Sequence, residues 1–305
     1  MKEQLEKWGH IVYASAESGQ LFTVLLIAYL IMIAVERMLY IWLRPNQYNN
    51  KDGLYSMGVS TITAIAEAII FGALYIAIYL FVYENFRLFT MPNVWWAWVA
   101  IFLLHDFAYY VDHYISHRVG FFWAFHHVHH SSNEINITTA ARGFFLGQLA
   151  QPAYLLLPLL GVDLIQLAIV ATLKNVWGIF NHTRLVTKMG WLERFLCTPS
   201  VHRVHHGTQR KYIDKNYGQV LSLWDKLFGT FQEEEEEPRY GLVTPLKTYN
   251  PFKAHVAGVS GLYQKMRLAP TFTDKLKYLY KPPGWDHITQ RELGKHRPSA
   301  DDVKT

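Results

Sequence analysis

Long apolar stretches separated by short polar connectors set the pattern of this chain. Leu21 to Leu43 is apolar except for a few positions such as Glu36 and Arg37 near its end. Leu54 to Tyr83 follows, then Val94 to Val111, which opens on Trp95, Trp96 and Trp98. Phe144 to Leu160 and Val162 to Phe180 come last, with only Gly161 between them. A helix needs about 20 mostly apolar residues to cross a bilayer, and tryptophan gathers at the membrane interface. The pattern therefore predicts an all-α fold, an integral membrane helical bundle with four to five membrane helices. The second stretch is longer than needed and is expected to tilt or emerge. The last two form a tight hairpin or a half-inserted pair. The first stretch starts too late and runs too long for a signal-peptide core, so it is expected to be kept.

Between and after these stretches the chain turns polar. Residues 1–20 read as a polar lead-in, 21–111 as membrane helices, 112–250 as the chemistry-bearing region with a helical hairpin at 144–180, and 251–305 as a cytosolic tail. Glu67 is an acid inside an apolar run, expected to be hydrogen-bonded within the bundle or near an interface. Glu233 to Glu237 reads as a solvated run. Tyr240 to Pro251 should be irregular, and Lys281-Pro282-Pro283-Gly284 breaks any helix. Residues 291–305 are expected to be poorly ordered.

Composition narrows the function classes. The chain has 305 residues, is 51% hydrophobic and carries a net charge of +5. A basic balance beside long apolar stretches points to a membrane surface, with no nucleic acid as partner. Cys197 is the single cysteine, which excludes an intramolecular disulfide framework and a cysteine-based cluster; it reads as a small buried residue. Arg37, Arg44, Lys51, Arg118, Arg142, Lys188, Arg194, Arg203, Arg210, Lys211 and Lys215 fall on one side if five segments alternate. By the positive-inside rule that side is the cytoplasm. The first 20 or so residues and the Glu84 to Pro92 loop then lie outside.

The histidines change the picture most. The chain has 15. His113 and His117 form H-x3-H; His126, His129 and His130 form H-x2-HH; His202, His205 and His206 repeat H-x2-HH; His182 stands between. Imidazole is the commonest metal ligand among side chains. Positions i, i+3 and i+4 of a helix share a face, so each cluster aims several nitrogens at one point. Eight or nine nitrogens are too many for one zinc, which takes four ligands. They suit two metals, and imidazole suits iron. His127 is about 100° off its neighbours' face and is left out, while His105 sits two turns before His113 and could reach the same site. His10, His255, His287 and His296 stand alone and read as ordinary histidines. No glycine-rich phosphate loop or Ser/His/Asp pattern accompanies them. Three readings compete: an O2-dependent oxidoreductase, a membrane metal-binding or transport protein, and a zinc-dependent membrane hydrolase. Ligand count favours the first.

Several stretches then carry a resemblance. They are His105-Asp106-Phe107-Ala108-Tyr109-Tyr110, His113-x3-His117, Trp123-Ala124-Phe125-His126 through His129-His130-Ser131-Ser132, and Asn181-His182-Thr183. Thr198-Pro199-Ser200-Val201-His202-Arg203-Val204-His205-His206-Gly207, Ile213-Asp214-Lys215-Asn216-Tyr217-Gly218 and Leu223 through Phe231 follow. Together they resemble the fatty acid hydroxylase / sterol desaturase superfamily of integral-membrane di-iron enzymes. The later stretches look most like the branch that contains alkylglycerol monooxygenase and its bacterial relatives. The resemblance implies a cytosolic histidine-rich di-metal cap on the membrane bundle. It implies two Fe ions held by His113, His117, His126, His129, His130, His182, His202, His205 and His206. Asp106 and Asn181 are candidates to hydrogen-bond the ligating rings from behind. The implied reaction hydroxylates or desaturates a lipid C–H bond, fatty acyl, alkylglycerol or sterol-like. O2 is the co-substrate and the lipid substrate comes from the bilayer. Electrons come from an external donor, an electron-donor protein or a reduced pterin. The implied location is a bacterial inner membrane, or the endoplasmic reticulum if eukaryotic, with the site facing the cytoplasm. The chain departs from the branch at Arg118, where the branch carries a glutamate, so its ether-lipid substrate and pterin dependence do not transfer directly. It also departs at Val201, where the branch often has another histidine.

Overall fold

A computed structural model of the chain describes residues 20–288, apart from residue 46. The lead-in expected at residues 1–20 (all but its last residue), the disorder expected at 291–305, and His10 and His296 lie outside the described residues. The described residues hold helices and no strand; the nearest to sheet are isolated bridges between Leu196 and Leu221 and between Gly207 and Tyr240. The helices are α1 (Gln20–Leu43), α2 (Asn50–Ala66), α3 (Gly72–Phe86), α4 (Trp95–Arg118) and α5 (Gly120–His126). Then come α6 (Leu164–Phe180), α7 (Pro199–His205), α8 (Leu223–Leu227), α9 (Pro251–Leu268) and α10 (Phe272–Tyr280). Shorter helical turns join them.

Local sequence explains where several begin. Asn49, Asp163, Thr198, Asn250 and Thr271 each precede a helix, and their side chains accept hydrogen bonds from first-turn N–H groups. Such caps satisfy donors that the helix leaves over. At α6 the cap is reciprocal, because Gln166 also accepts from the Asp163 N–H. Pro199 and Pro251 occupy the first turn of α7 and α9, where a missing N–H costs nothing.

The main apolar core joins α3, α4 and α6 through Tyr79, Ala97, Ile101, Ala108, Leu167 and Val170. The α9–α10 pair packs on α5, and α9 also leans on α2. Outside these contacts a large apolar surface remains. On α1, Val24, Ile31, Met38 and Trp42 are exposed; so are Leu74 and Phe81 on α3, Trp95 and Val99 on α4, and Leu173 on α6. Apolar exposure on this scale marks an interaction surface, not a water-facing one.

The expected four to five membrane helices are not found as such. Among the described residues, Thr23–Leu43 is long and apolar enough to cross a membrane, with a mean hydropathy of 2.1. The α2–α3 pair qualifies only when taken together, as a broken span or a re-entrant loop bent by 51°. The bend sits at a π-helical turn, Glu67–Phe71, which Glu67 opens. The α4 helix contains the third apolar stretch but carries Asp106, Asp112, His113 and His117 along its second half. Residues 144–160 do not form one helix. They fold as short turns, Gly147–Ala150, Pro152–Leu155 and Leu156–Leu159, because proline removes a helix donor and clashes with the preceding turn. Gly161 then reverses the chain at φ +73, with Phe89 O crowding the place where a Cβ would stand. No L-side chain fits there.

Buried charge ties the helices to the loops below them. Glu36 of α1 accepts from the Ile137 N–H at 2.8 Å and from Thr183 Oγ1 at 2.7 Å. Asp106 of α4 pairs with Lys174 of α6 at 3.0 Å, and both side chains are fully buried. Asp106 also accepts from Val220 N–H, Leu221 N–H and Trp224 Nε1. Removing one partner of a buried pair leaves an uncompensated charge, which costs roughly 3–5 kcal/mol. Lys174→Met is therefore expected to lower the thermal unfolding midpoint of the detergent-purified protein well below that of the parent. An unchanged midpoint would show that the pair is dispensable.

Candidate metal centre

The irregular stretches around α4, α5 and α7 bring imidazoles together in two groups. His113, His117, His126, His130 and His205 form the first, and His129, His182, His202 and His206 the second. In each group the facing nitrogens all lie within 4.8 Å of one another. The two groups meet where the rings of His130 and His206 stack at 4.5 Å. Residues four apart join the same group: 113 with 117, 126 with 130, and 202 with 206. The residue three along, His129 or His205, joins the other group. Each H-x2-HH cluster therefore straddles both groups.

Ring tautomers decide what the groups can do. His113 Nδ1 donates to Tyr217 O at 2.8 Å, and His205 Nδ1 to Lys215 O at 2.9 Å. His129 Nδ1 donates to Arg142 O at 3.0 Å, and His182 Nδ1 to Gly178 O at 2.8 Å. A carbonyl only accepts, so each of these rings carries its proton on Nδ1 and a bare lone pair on Nε2. His129 Nε2 and His182 Nε2 nevertheless stand 3.3 Å apart, with no proton to share. Further Nε2 pairs stand close together: His113–His126 at 3.2 Å, His126–His130 at 3.2 Å, His130–His205 at 3.1 Å, His182–His202 at 3.0 Å and His202–His206 at 3.1 Å. Metal–imidazole bonds of about 2.0–2.1 Å put neighbouring ligand nitrogens about 3.0–3.4 Å apart. The donor set thus fits a metal in each group, held by nitrogen alone.

Burial favours the neutral, ligating form. It holds His130, His202, His205 and His206 well below the ordinary imidazole range, and the neighbouring rings add to the effect. Burial also lowers His129, to about 4. Seven of the nine rings are buried; His126 and His129 are the half-buried ones. Those two line a cavity of about 380 Å³ that runs to Arg142, Phe144, Gly178 and Gln219. One belongs to each group, so the cavity opens on both at once.

The sequence-predicted partners behind the ligands lie elsewhere. Asp106 holds Lys174, the Val220 and Leu221 N–H groups and the Trp224 indole, and none of its hydrogen bonds reaches a ring of either group. Asn181 Nδ2 donates to Gln219 O at 3.0 Å, again not to a ring. Main-chain carbonyls orient the rings instead. The carboxylate nearest a site ring is Asp214, 3.9 Å from His117 Nδ1, which also pairs with Arg118 at 3.4 Å. Arg142 was legible only as a flanking charge. Its carbonyl orients His129, while its buried guanidinium donates to Ser56, Val128 and Ser131. His105 is not in either group; its Nδ1 accepts from Lys174 at 2.8 Å. His127 is buried outside both groups, His255 bonds Val59 O, and His287 bonds the Tyr278 hydroxyl.

Comparison with known proteins agrees with this geometry. Residues 98–230 match the family model described as fatty acid hydroxylase. The chain belongs to the fatty acid hydroxylase family. It is 36% identical to alkylglycerol monooxygenase of Homo sapiens over 238 residues, 77% of this chain and 53% of that protein. It is 33% identical to the Xenopus tropicalis alkylglycerol monooxygenase over 261 residues, 84% of this chain and 58% of that one. Ornithine lipid hydroxylase OlsE of Rhizobium tropici is 30% identical over 131 residues, 42% of this chain and 40% of that protein. The chain spans about half the length of the alkylglycerol monooxygenases it matches. No solved structure matches it.

Two expectations follow. His205→Ala should remove the ion of the first group and His206→Ala that of the second, each leaving the other by elemental analysis of the purified protein. Loss of both ions in both variants would mean a single coupled cluster. The second concerns acid. The unfolded chain binds protons on these histidines below about pH 6.5, whereas the folded chain resists protonation down to about 4 at His129. The unfolded state therefore gains protons first, and stability present above pH 6.5 is lost as pH falls through that window. Urea midpoints of the metal-free protein should drop between pH 7.5 and pH 5; a flat profile contradicts neutral burial.

Proposed function

We propose that this chain is a membrane-bound, O2-dependent lipid monooxygenase that uses two irons. The observation that carries the reading is the pair of all-nitrogen groups, with locked tautomers, opening together on one cavity. Five nitrogens in the first group exceed the four that zinc takes, and imidazole sites suit iron. Bound iron supplies the reductive activation of O2 for insertion into a C–H bond. The balance is RH + O2 + two electrons + two protons giving ROH + H2O, so an electron-donor protein or a reduced pterin must supply the electrons.

The chain's own residues position the reaction. His113, His117, His126, His130 and His205 would hold one iron, and His129, His182, His202 and His206 the other. Phe125, Val128, Phe144 and Ile179 make the cavity wall apolar, which suits an alkyl chain and limits water near the reacting carbon. The exposed apolar faces of α1, α3, α4 and α6 are read as lipid-facing, and through them the substrate arrives from the bilayer. We place the site on the cytoplasmic side of a bacterial inner membrane or, in a eukaryote, the endoplasmic reticulum, as the family resemblance implies. What supports hydroxylation over desaturation is that the named relatives are monooxygenases and hydroxylases. Alkylglycerol and ornithine lipid are accordingly the first substrates to try.

The test is iron content together with reductant-dependent O2 uptake by the purified protein. About two irons per chain and uptake stimulated by an alkylglycerol or an ornithine lipid are expected. Zinc alone after expression with iron, and no uptake with any donor, would remove this reading.

A further inference from the structure

We infer that α9 and α10 form an interfacial hairpin that lies on the bilayer surface and binds anionic lipid headgroups. The inference rests on the membrane-bound part of the reading above and adds a second attachment, outside any spanning helix.

The α9 helix carries three strips along its length. Ala254, His255, Gly258 and Leu262 face inward, buried or half-buried. A second strip is apolar and open: Phe252 is 68% exposed, Val256 48%, Val259 40% and Tyr263 65%. Their spacing, i, i+4, i+7 and i+11, is one face of a helix. Lys253, Ser260, Gln264 and Arg267 form a polar edge beside it, and all four are exposed. The α10 helix repeats the pattern. Phe272, Leu276 and Tyr280 are exposed at i, i+4 and i+8, while Tyr278 packs inward with Ala269 and Trp285. Leu268, exposed at the turn between the helices, joins the two open strips.

Charge and position say what covers this surface. Residues 251–288 hold Lys253, Lys265, Arg267, Lys275, Lys277 and Lys281 against only Asp274 and Asp286. Asp274 pairs with Lys277 at 3.0 Å, which leaves a clear surplus of positive charge. An apolar strip edged by lysine and arginine matches the boundary between acyl chains and lipid phosphates. Pro251, at the start of α9, seats against Gly58 of α2. Leu54 and Ile65 lie on that same face of α2 and are exposed, so the hairpin begins beside an apolar surface of the broken span. At its other end the Gly120 N–H donates to Lys281 O at 2.9 Å, just past the end of α4. Between these two straps Gly258 packs against Ala124 O and the His127 ring. The α5 helix touched there also carries His126, so the hairpin sets the height of the metal centre over the bilayer. The segment expected as a cytosolic tail then lies in the headgroup layer through residue 281.

The test is site-directed spin labelling of the full chain in lipid vesicles. Cys197 is buried, so the nitroxide goes to one introduced cysteine at a time. Phe252→Cys, Tyr263→Cys, Phe272→Cys and Tyr280→Cys report the strips, Glu235→Cys is the water reference and Ile31→Cys the bilayer reference. In vesicles containing phosphatidylglycerol, strip labels are expected to meet O2 more than a water-soluble nickel chelate, as at Ile31, with the reverse at Glu235. In neutral phosphatidylcholine the O2-to-nickel ratio on the strips should be about fivefold or more lower, since one basic residue at an anionic surface shifts the equilibrium about that much. Lys253→Gln with Arg267→Gln should remove much of this difference. Nickel exceeding O2 on the strips in anionic vesicles, equal ratios in the two vesicles, or an undiminished difference in the double variant overturns the inference. So does low access to both reagents; relief on dilution with unlabelled chain would then identify a second copy as the cover. Strip labels in water with Ile31 in lipid sink this inference alone. Ile31 in water sinks the membrane-bound reading as well.

Discussion

Lone pairs that face one another without a proton between them are the constraint on which this structure depends. Nine imidazoles gather in a largely buried space, and at least His129 and His182 cannot bond each other. Such an arrangement is repulsive in itself, and only a fixed backbone or a bound cation makes it tolerable. The backbone meets this need through carbonyls from four separate places: residues 142, 178, 215 and 217. Two of these lie in a loop where Asp214 and Asn216 adopt positive φ, 60 and 56. Asp and Asn tolerate that region better than most residues. The alternation leaves Lys215 and Tyr217 with carbonyls turned to His205 and His113.

That loop is itself over-determined. Asn216 donates to Val201 O and Gln232 O and accepts from the Gln232 N–H. Asp225 accepts from the Tyr217 and Gly218 N–H groups and from Thr230. Asp106, one layer further out, holds residues 220 and 221 against α4. Its role is therefore to fix the loop that orients the rings, at one remove from them. Arg118 belongs to the same layer. It faces Asp214, so a positive charge at this position answers a carboxylate that stands beside His117. The departure from the glutamate of the alkylglycerol branch has a local electrostatic partner, whatever its effect on substrate.

Histidine spacing was legible because repeated imidazoles at i, i+3 and i+4 stand out in a sequence whatever the backbone does around them. The i, i+3, i+4 rule places them on a face but does not say which of the two groups each one joins. That division depends on how α5 breaks at His126 and how α7 lies against it, both matters of tertiary packing. The partners behind the rings were not legible for a related reason. Any residue can present a main-chain carbonyl, so Arg142, Gly178, Lys215 and Tyr217 leave no side-chain signal. Helix starts at Asn49, Asp163 and Thr198 were encoded in local chemistry. Apolar length, by contrast, overstated the number of continuous spans, because it registers neither Pro152 and Pro158 nor the charged second half of α4.

The broken segment at residues 143–162 is the counterpart of the cavity. A continuous helix would satisfy its own backbone but could not turn back beneath the histidines and leave space beside them. Irregular backbone at apolar depth is tolerated only where protein or a cavity meets its polar groups. Here side chains from three helices do so, and a fourth serves the loop beside it. Thr63 of α2 donates to Gly143 O at 2.6 Å, and Tyr79 of α3 to Val162 O at 2.9 Å. Asp112 of α4 accepts from the Ala153 N–H at 2.9 Å, and Gln166 of α6 donates to Met91 O at 3.3 Å in the neighbouring loop. Thr63, Tyr79 and Gln166 fall inside otherwise apolar stretches and Asp112 ends one, and each is bonded across the bundle. The same groups that weaken the membrane-span signal in the sequence are what allow the bundle to fold around an open space.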